Sequence, residues 1–151
     1  MGCFHFEVMM TPEGPFPLEL NARIGGAESF TLMQAVHQVD FAQTAMRLAL
    51  GWRPTPAAFP SEPVAFASSV NFCPDWRGPG RLVAQVVPEW IRADPHYVDM
   101  ELFYSGGAII AAPEGSAANM GWLVAVGPTS EEAEAHLQRL CAAISFKFEA
   151  L

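Results

Sequence analysis

Positive charge is scarce in this sequence. The chain has 151 residues and a formal net charge of −8, and Lys147 is its single lysine. An acidic surface without basic clusters argues against nucleic-acid binding and against docking to anionic membranes. We therefore expect no nucleic-acid partner and no membrane partner.

Long apolar runs and paired cysteines are also absent. No run approaches the roughly 20 apolar residues that span a bilayer, and the N-terminus lacks the basic and then apolar order of a signal peptide. Cys3, Cys73 and Cys141 are odd in number and far apart, which predicts reduced and mostly buried thiols. Together these absences predict a cytoplasmic protein.

The N-terminal stretch, in contrast, concentrates acidic and amide side chains. Proline and glycine in the segment 11–14 favour a tight turn, so a β-hairpin is predicted here. Side chains alternate along a strand, and a hairpin symmetric about Glu13 places Glu7 directly across from Glu19, with Asn21 on the same face. Like charges in that position repel each other, so we predict that a cation lies between them.

The opposite face of the predicted hairpin is apolar. Strand alternation assigns Pro17 to the face of Glu19 and puts the larger apolar side chains on the other face. We expect two following helices to pack on that apolar face and to hold the polar side chains rigidly. The apolar set is Phe4, Phe6, Val8, Leu18 and Leu20.

The polar face combines oxygen ligands with a fixed positive charge. Two carboxylates and an amide oxygen, from Glu7, Glu19 and Asn21, form a hard-ligand set that suits Mg²⁺ or Mn²⁺. Arg23 follows two residues later, and its planar guanidinium suits a phosphate group. A hard divalent metal beside an arginine is typical of a phosphoryl-transfer site.

Three further residues are candidates for substrate contacts, and every candidate has a plainer structural reading. His5 shares the carboxylate face and suits acid–base work, or is a sheet histidine bonded to its neighbours. Gly25 and Gly26 suit the donation of backbone N–H groups to a carboxylate or acyl phosphate, or merely permit a sharp exit from the strand. The plainer readings of the main set are a solvated pair of glutamates and a structural salt bridge from Arg23 to Glu19.

The order and spacing of these residues carry a family resemblance. The pattern H-x-E, eleven residues, then E-L-N-A-R-x-G-G resembles the metal-binding end of the ATP-grasp carboxylate-amine ligases. The resemblance implies that Glu7, Glu19 and Asn21 bind the Mg²⁺ or Mn²⁺ ions that bridge the ATP phosphates, and that Arg23 is catalytic. The phrases HFEVMMTPEGP, LELNARIGG and VGPTSEEAEAHLQRLCAAI are most similar to carnosine synthase and related L-amino acid dipeptide ligases.

This resemblance implies a fold and an activity. The fold would be the α+β C-terminal lobe of an ATP-grasp enzyme, with an antiparallel hairpin and packed helices, a small antiparallel β subdomain and a closing helix. The reaction would be ATP-dependent and Mg-dependent amide formation between amino-acid substrates through an acyl phosphate. The lysines and glycine-rich loop of the nucleotide-clamping lobe are not found upstream of Gly2, so we expect a fragment that is inactive without its missing N-terminal lobe.

Other readings of the whole chain stay open at this point. A non-catalytic interaction module that kept the fold, and a biotin-carboxylase-like enzyme of the same superfamily, are the two alternatives to the amide-forming ligase. A homodimer is compatible with each of them.

The chain is expected to divide into two parts. Residues 1–51 carry the hairpin and two helices, residues 52–63 form a proline-rich linker, and residues 64–151 form the β subdomain with its closing helix. Turn-rich stretches are expected at 75–80 and 113–119. The predicted strands are 64–72, 81–87, 98–104, 121–126 and, after the last helix, 144–148.

Helix-capping residues mark where the helices begin. Ser29 and Asp40 are the expected N-caps of the first two helices. Thr129 and Glu132 predict a capping box for the closing helix, whose apolar stripe faces the core. The strand after that helix is expected to join the sheet.

Overall fold

The computed structural model has an α+β fold, as the sequence predicts. It describes residues 2–53, 62–73, 75–76, 78–111 and 119–151. The chain forms two compact units, Met1–Val64 and Ala65–Leu151. Most of the predicted linker and of the predicted turn at 113–119 lies outside the described residues. None of the four described helices is long and apolar enough to cross a membrane.

The first unit begins with the predicted hairpin. Its two strands pair antiparallel, and the Thr11 hydroxyl donates to the Gly14 carbonyl oxygen at 2.9 Å across the turn. Thr11 also pairs with Gly14 in the ladder, so the turn is centred between Pro12 and Glu13 and not on Glu13 as predicted. The elements of this unit are β1 (His5–Thr11), β2 (Gly14–Asn21), α1 (Ser29–His37) and α2 (Phe41–Ala49).

The two helices of this unit begin differently. The prediction of Ser29 as an N-cap is wrong, because Ser29 is already helical and the N-cap is Glu28, which makes no side-chain cap bond. Asp40 caps α2 as predicted, and its carboxylate accepts from the Gln43 backbone N–H at 2.8 Å. Gly51 follows α2 with a φ of +92°, a conformation that glycine adopts at little cost.

The apolar face of the hairpin is not covered by the helices, contrary to the prediction. Its large side chains from Phe4 to Leu20 are exposed by 42–64%. The helices pack instead on each other, with the Phe30 and Phe41 rings edge to face at 6.3 Å. The physical reason lies at the exit of β2, where the backbone of Gly25 brings the start of α1 beside His5, on the polar side of the hairpin.

The described residues of the second unit form two three-stranded antiparallel sheets, where the sequence suggested one. Strands in the order β3-β7-β5 form the first sheet, and strands in the order β6-β4-β8 form the other. The last strand joins a sheet as predicted, by pairing with β4. The elements are β3 (Phe66–Asn71), β4 (Gly80–Val86), α3 (Trp90–Ala93), β5 (Tyr97–Leu102), β6 (Ile109–Ile110), β7 (Gly121–Gly127), α4 (Ser130–Cys141) and β8 (Ser145–Ala150).

The core of the second unit forms between the sheets and the closing helix. Helix α4 packs on β7 and β3, and the predicted cap is present, since the Thr129 hydroxyl accepts from the Glu132 backbone N–H at 3.2 Å. Three residues of the predicted apolar stripe are buried on its inner face. Apolar burial of this kind contributes about 25 cal/mol per Å². The largest fully buried side chains are Leu82, Ile91, Met120, Leu123, Val124 and Leu140.

The three cysteines are free thiols but are less buried than predicted. Cys73 is exposed, and Cys3 and Cys141 are intermediate in exposure. Cys73 lies two residues beyond the end of β3.

Candidate functional site

A β-bulge sets the arrangement of the acidic residues. From the turn to Val8 the two strands pair in one register, in which Val8 lies opposite Pro17. At Glu7 the register shifts by one residue, so that Glu7 pairs with Glu19 and Leu18 is left without a partner in β2. An extra residue in one strand is the defining feature of a bulge, which re-aims the side chains that follow it.

The bulge brings the two carboxylates to the same face. Without it, Glu7 would lie opposite Leu18, and Glu19 would point to the other side of the hairpin. With it, the pair Glu7 and Glu19 lies beside the pair His5 and Asn21 on the polar face. The sequence therefore predicted the right pairing from the wrong turn centre.

The same bulge overturns one predicted face. Pro17 was assigned to the polar face together with Glu19. It pairs with Val8 and so belongs to the apolar face, because the extra residue Leu18 separates the two parts of β2.

The two carboxylates have no cationic side chain between them. The imidazole of His5 lies beside Glu7, with its Nδ1 3.7 Å from the Glu7 Oε1. Among the residues that the structure describes, neither Glu7 nor Glu19 forms an ion pair with a lysine or arginine. Among the described residues Arg23 makes no salt bridge to Glu19, and its guanidinium donates to the Ile24 carbonyl oxygen at 3.1 Å.

Unpaired polar atoms lie beside the carboxylates. The Nδ1 of His5 and the Nδ2 of Asn21 are buried and have no hydrogen-bond partner. Buried polar groups are nearly always bonded, and an unsatisfied one costs about 1–3 kcal/mol. The cross-strand pair of His5 and Asn21 therefore has polar atoms without hydrogen-bond partners. These atoms lie where the sequence predicts ligand contacts.

The oxygen donors fit a hard cation that keeps other ligands. In the described part of the chain, no three His, Cys, Asp or Glu side chains come together as a complete metal site. Two carboxylates with the amide oxygen of Asn21 would leave the other positions of an octahedral ion to water or phosphate oxygens. Mg²⁺ is usually bound in that way, through one or two carboxylates and the phosphates of a substrate.

The glycine pair after β2 divides into a packed and an open position. A Cβ on Gly25 would lie 2.9 Å from the Cβ and 3.0 Å from the Oγ of Ser29. Gly26 has open space at the same place, and its carbonyl oxygen accepts from the Ser29 N–H at 3.1 Å. Close packing against α1 thus explains why position 25 is occupied by glycine, and no such packing explains the glycine at position 26.

Sequence reasoning missed a charged cluster in the second unit. The rings of His96 and His136 stack with centroids 3.5 Å apart, and Arg139 donates to Asp94 at 2.7 Å. Burial by itself would raise the pKa of Asp94, but the His96 backbone N–H and the Arg139 guanidinium together hold that pKa below its ordinary value. The residues come from segments about forty positions apart, so no local spacing signalled the cluster.

One protein family matches part of the chain. Residues 76–149, just under half of the chain, match the family described as L-amino acid ligase C-terminal domain 2. No curated protein sequence matches the chain.

Solved structures share the fold over almost the whole chain. An L-amino acid ligase from Bacillus licheniformis is 21% identical with a TM-score of 0.79, covering 98% of this chain and 36% of its own. A phosphoribosylglycinamide synthetase from Anaerococcus prevotii is 14% identical with a TM-score of 0.77, covering 95% and 36%. A biotin carboxylase from Campylobacter jejuni is 15% identical with a TM-score of 0.72, covering 99% and 32%. The α+β fold is thus that of the C-terminal lobe of ATP-grasp enzymes, and the chain spans about a third of these proteins.

Proposed function

We propose that this chain is the C-terminal part of an ATP-dependent and Mg²⁺-dependent carboxylate-amine ligase of the ATP-grasp superfamily. The match of residues 76–149 to an L-amino acid ligase domain supports the amide-forming branch of that superfamily. The single observation that carries the proposal is that Glu7 pairs with Glu19 on the face that also holds Asn21. Among the described residues, neither carboxylate forms an ion pair with a lysine or an arginine. Such an arrangement favours a bound cation.

The metal ligands in this proposal are Glu7, Glu19 and Asn21. Their oxygens would hold Mg²⁺ or Mn²⁺, which offsets the negative charge of the ATP phosphates. The bulge at Leu18 is what allows both carboxylates to reach the same ion.

Arg23 is the proposed contact for the transferred phosphoryl group. Its guanidinium has five N–H donors, and one nitrogen is engaged with the Ile24 carbonyl oxygen. The other donors are available to phosphate oxygens, and a fixed positive charge there stabilises negative charge that develops during transfer.

The overall reaction would join two amino-acid-like substrates. The carboxylate of one substrate takes the terminal phosphoryl group of ATP to give an acyl phosphate and ADP. The amine of the other attacks the acyl carbon, phosphate leaves and an amide forms. We propose amino acids or β-amino acids as substrates, as in carnosine synthase and the dipeptide ligases, with His5, Gly25 and Gly26 as their nearest contacts on the hairpin.

The chain alone is proposed to catalyse nothing. It spans about a third of the length of the ligases and carboxylases that share its fold, and the hairpin supplies groups for metal and phosphate but none for a nucleotide base. The proposed partner is an ATP-binding N-terminal lobe. The proposed location is the cytoplasm. A homodimer is compatible with the proposal.

Metal binding is the first test, because the chain itself can be used. Mn²⁺ is titrated into the chain and its binding is followed by electron paramagnetic resonance. We expect a saturable site that is lost in Glu19→Gln and weakened at least tenfold in Asn21→Ala. Glu13→Gln is the matched control, since it removes the same charge from the turn of the same hairpin. Equal Mn²⁺ binding by the parent chain, Glu19→Gln and Asn21→Ala would contradict the ligand assignment.

Catalysis is tested in a chimera with the Bacillus licheniformis enzyme. This chain replaces the matching 36% of that ligase, and ADP release is measured with pairs of amino acids. We expect release that depends on both amino acids and falls at least a hundredfold in Glu19→Gln. A chimera whose ADP release requires bicarbonate, and not an amine, favours the carboxylase alternative. Unchanged rates after Glu19→Gln and Arg23→Ala would refute the assigned roles.

A further inference from the structure

An open cavity of about 300 Å³ in the second unit carries two thiols on its wall. Cys73 and Cys141 both line it. The rest of the wall is mostly apolar and includes Phe72 and Phe146, whose rings pack with centroids 5.5 Å apart. Two cysteines that lie 68 positions apart in sequence thus share one small space.

The topology of the unit explains why the two thiols meet. Strand β7 runs antiparallel to β3, and α4 turns back from the end of β7 and packs on both strands. Helix α4 therefore runs in roughly the same direction as β3, and the side chains of Ser68 and Glu134 join the two elements at 2.6 Å. Cys73 follows the end of β3 and Cys141 is the last residue of α4, so both come to the same end of the unit.

The two thiols differ in their access to solvent. Cys73 is exposed and Cys141 is half-buried. Burial raises the pKa of the Cys141 thiol, so that group stays protonated near neutral pH. An oxidant from solution therefore meets Cys73 first, because Cys73 is the more exposed of the two residues.

We propose that Cys73 and Cys141 form an oxidisable thiol pair, which a peroxide converts to an intramolecular disulfide. The Cys73 thiol gives up its proton as its sulfur attacks one peroxide oxygen, the O–O bond breaks, and the departing oxygen takes that proton to leave as water, so that Cys73 becomes a sulfenic acid. The Cys141 thiol then gives up its proton, its sulfur attacks the Cys73 sulfur, the S–O bond breaks, and the departing hydroxyl takes that proton to leave as the second water. In sum, two thiols and one hydrogen peroxide give one disulfide and two waters, with both electrons passing to the peroxide.

The cavity favours this outcome over further oxidation of Cys73. Both residues line the same cavity, and no other cysteine belongs to this unit. Cys3, the remaining thiol, belongs to the first unit and serves as an internal control. The disulfide would close a long loop and so raise the melting temperature of the chain.

Peptide mapping of the full chain tests the proposal. The protein is treated with hydrogen peroxide, digested without reductant and examined by mass spectrometry. We expect a linked pair of peptides containing Cys73 and Cys141, lighter than the two free peptides by about 2 Da for the two lost hydrogens. Cys3→Ser should give the same product in the same yield, and Cys73→Ser should give none.

A second variant examines the order of the steps and does not depend on the linked product. In Cys141→Ser the sulfenic acid on Cys73 has no thiol to react with, so we expect it to be trapped by a cyclic 1,3-diketone in at least fivefold higher yield than in the parent chain. Two results would overturn the proposal. One is a disulfide only between two chains, and the other is equal conversion of Cys73 to sulfinic acid with and without the Cys141 thiol.

Discussion

Removal of one carboxylate from the hairpin is predicted to stabilise the metal-free chain and to abolish its response to Mg²⁺. Directly opposed side chains in an antiparallel pair lie roughly 5 Å apart at Cβ. Two unit charges at that distance repel by about 0.8 kcal/mol at the dielectric constant of water, and by about 3 kcal/mol at an effective value of 20. The Glu7 side chain is 44% exposed and solvent screens the pair, so we expect about 0.5–1 kcal/mol.

Thermal and urea unfolding of Glu19→Gln and of the parent chain measure this effect. In the presence of a chelator, Glu19→Gln should unfold with a free energy about 0.5–1 kcal/mol higher than the parent, because the repulsion from Glu7 is gone. With excess Mg²⁺ the order should reverse, since ion binding stabilises only the chain that retains both carboxylates. Glu13→Gln should leave both measurements unchanged.

The two parts of this prediction have opposite signs, which makes it easy to refute. A variant that is less stable than the parent without metal would show that Glu19 makes a favourable contact, and the argument from repulsion would be wrong. A variant that responds to Mg²⁺ as strongly as the parent would show that the ion binds elsewhere.

Three further predictions concern packing and pH. Gly25→Ala should destabilise the first unit by roughly 1–3 kcal/mol in urea unfolding, because the new Cβ would press on Ser29. Gly26→Ala is the control, because its Cβ would face open space, and it should cost less than about 1 kcal/mol. Gly121→Ala should weaken the pairing of β5 with β7, seen as faster amide hydrogen exchange, because Gly121 has a φ of +144° and a Cβ there meets the Glu101 carbonyl oxygen; equal exchange rates would contradict this. The pKa of Asp94 is lowered in the folded state, so its contribution to stability is present above its ordinary value of 3.8 and is lost as pH falls through the folded value. Asp94→Asn should flatten this acid limb of the stability profile, and a limb as steep as in the parent chain would show that other carboxylates cause it.

Local signals in the sequence were sufficient where neighbours in the chain supply the interaction. Asp40 and Thr129 cap their helices as predicted, because an N-cap bonds a backbone N–H only two or three residues away. The strand at the C-terminus was likewise predicted from alternation alone. Ser29 is not the cap, because the helix begins one residue earlier than predicted and Glu28 takes the cap position.

Long-range geometry decided what the pattern left open. The division of the second unit into two sheets depends on which strands pair with each other. The alternation of polar and apolar residues along one strand does not identify its partner strand. The same holds for the stacked pair His96 and His136 and for the cavity shared by Cys73 and Cys141. In each case the residues come from distant segments, so their proximity exists only after the chain has folded.

The order of residues in the chain was enough to identify the side chains proposed for a metal and a phosphate, which are Glu7, Glu19, Asn21 and Arg23. The pairing of Glu7 with Glu19 was also predicted from the sequence, but the folded chain reaches it in another way, through one extra residue, Leu18, in the second strand. The physical reason is that side chains alternate with a period of two residues along a strand. A shift of one position therefore reverses the face of every residue beyond it, and composition contains no record of such a shift.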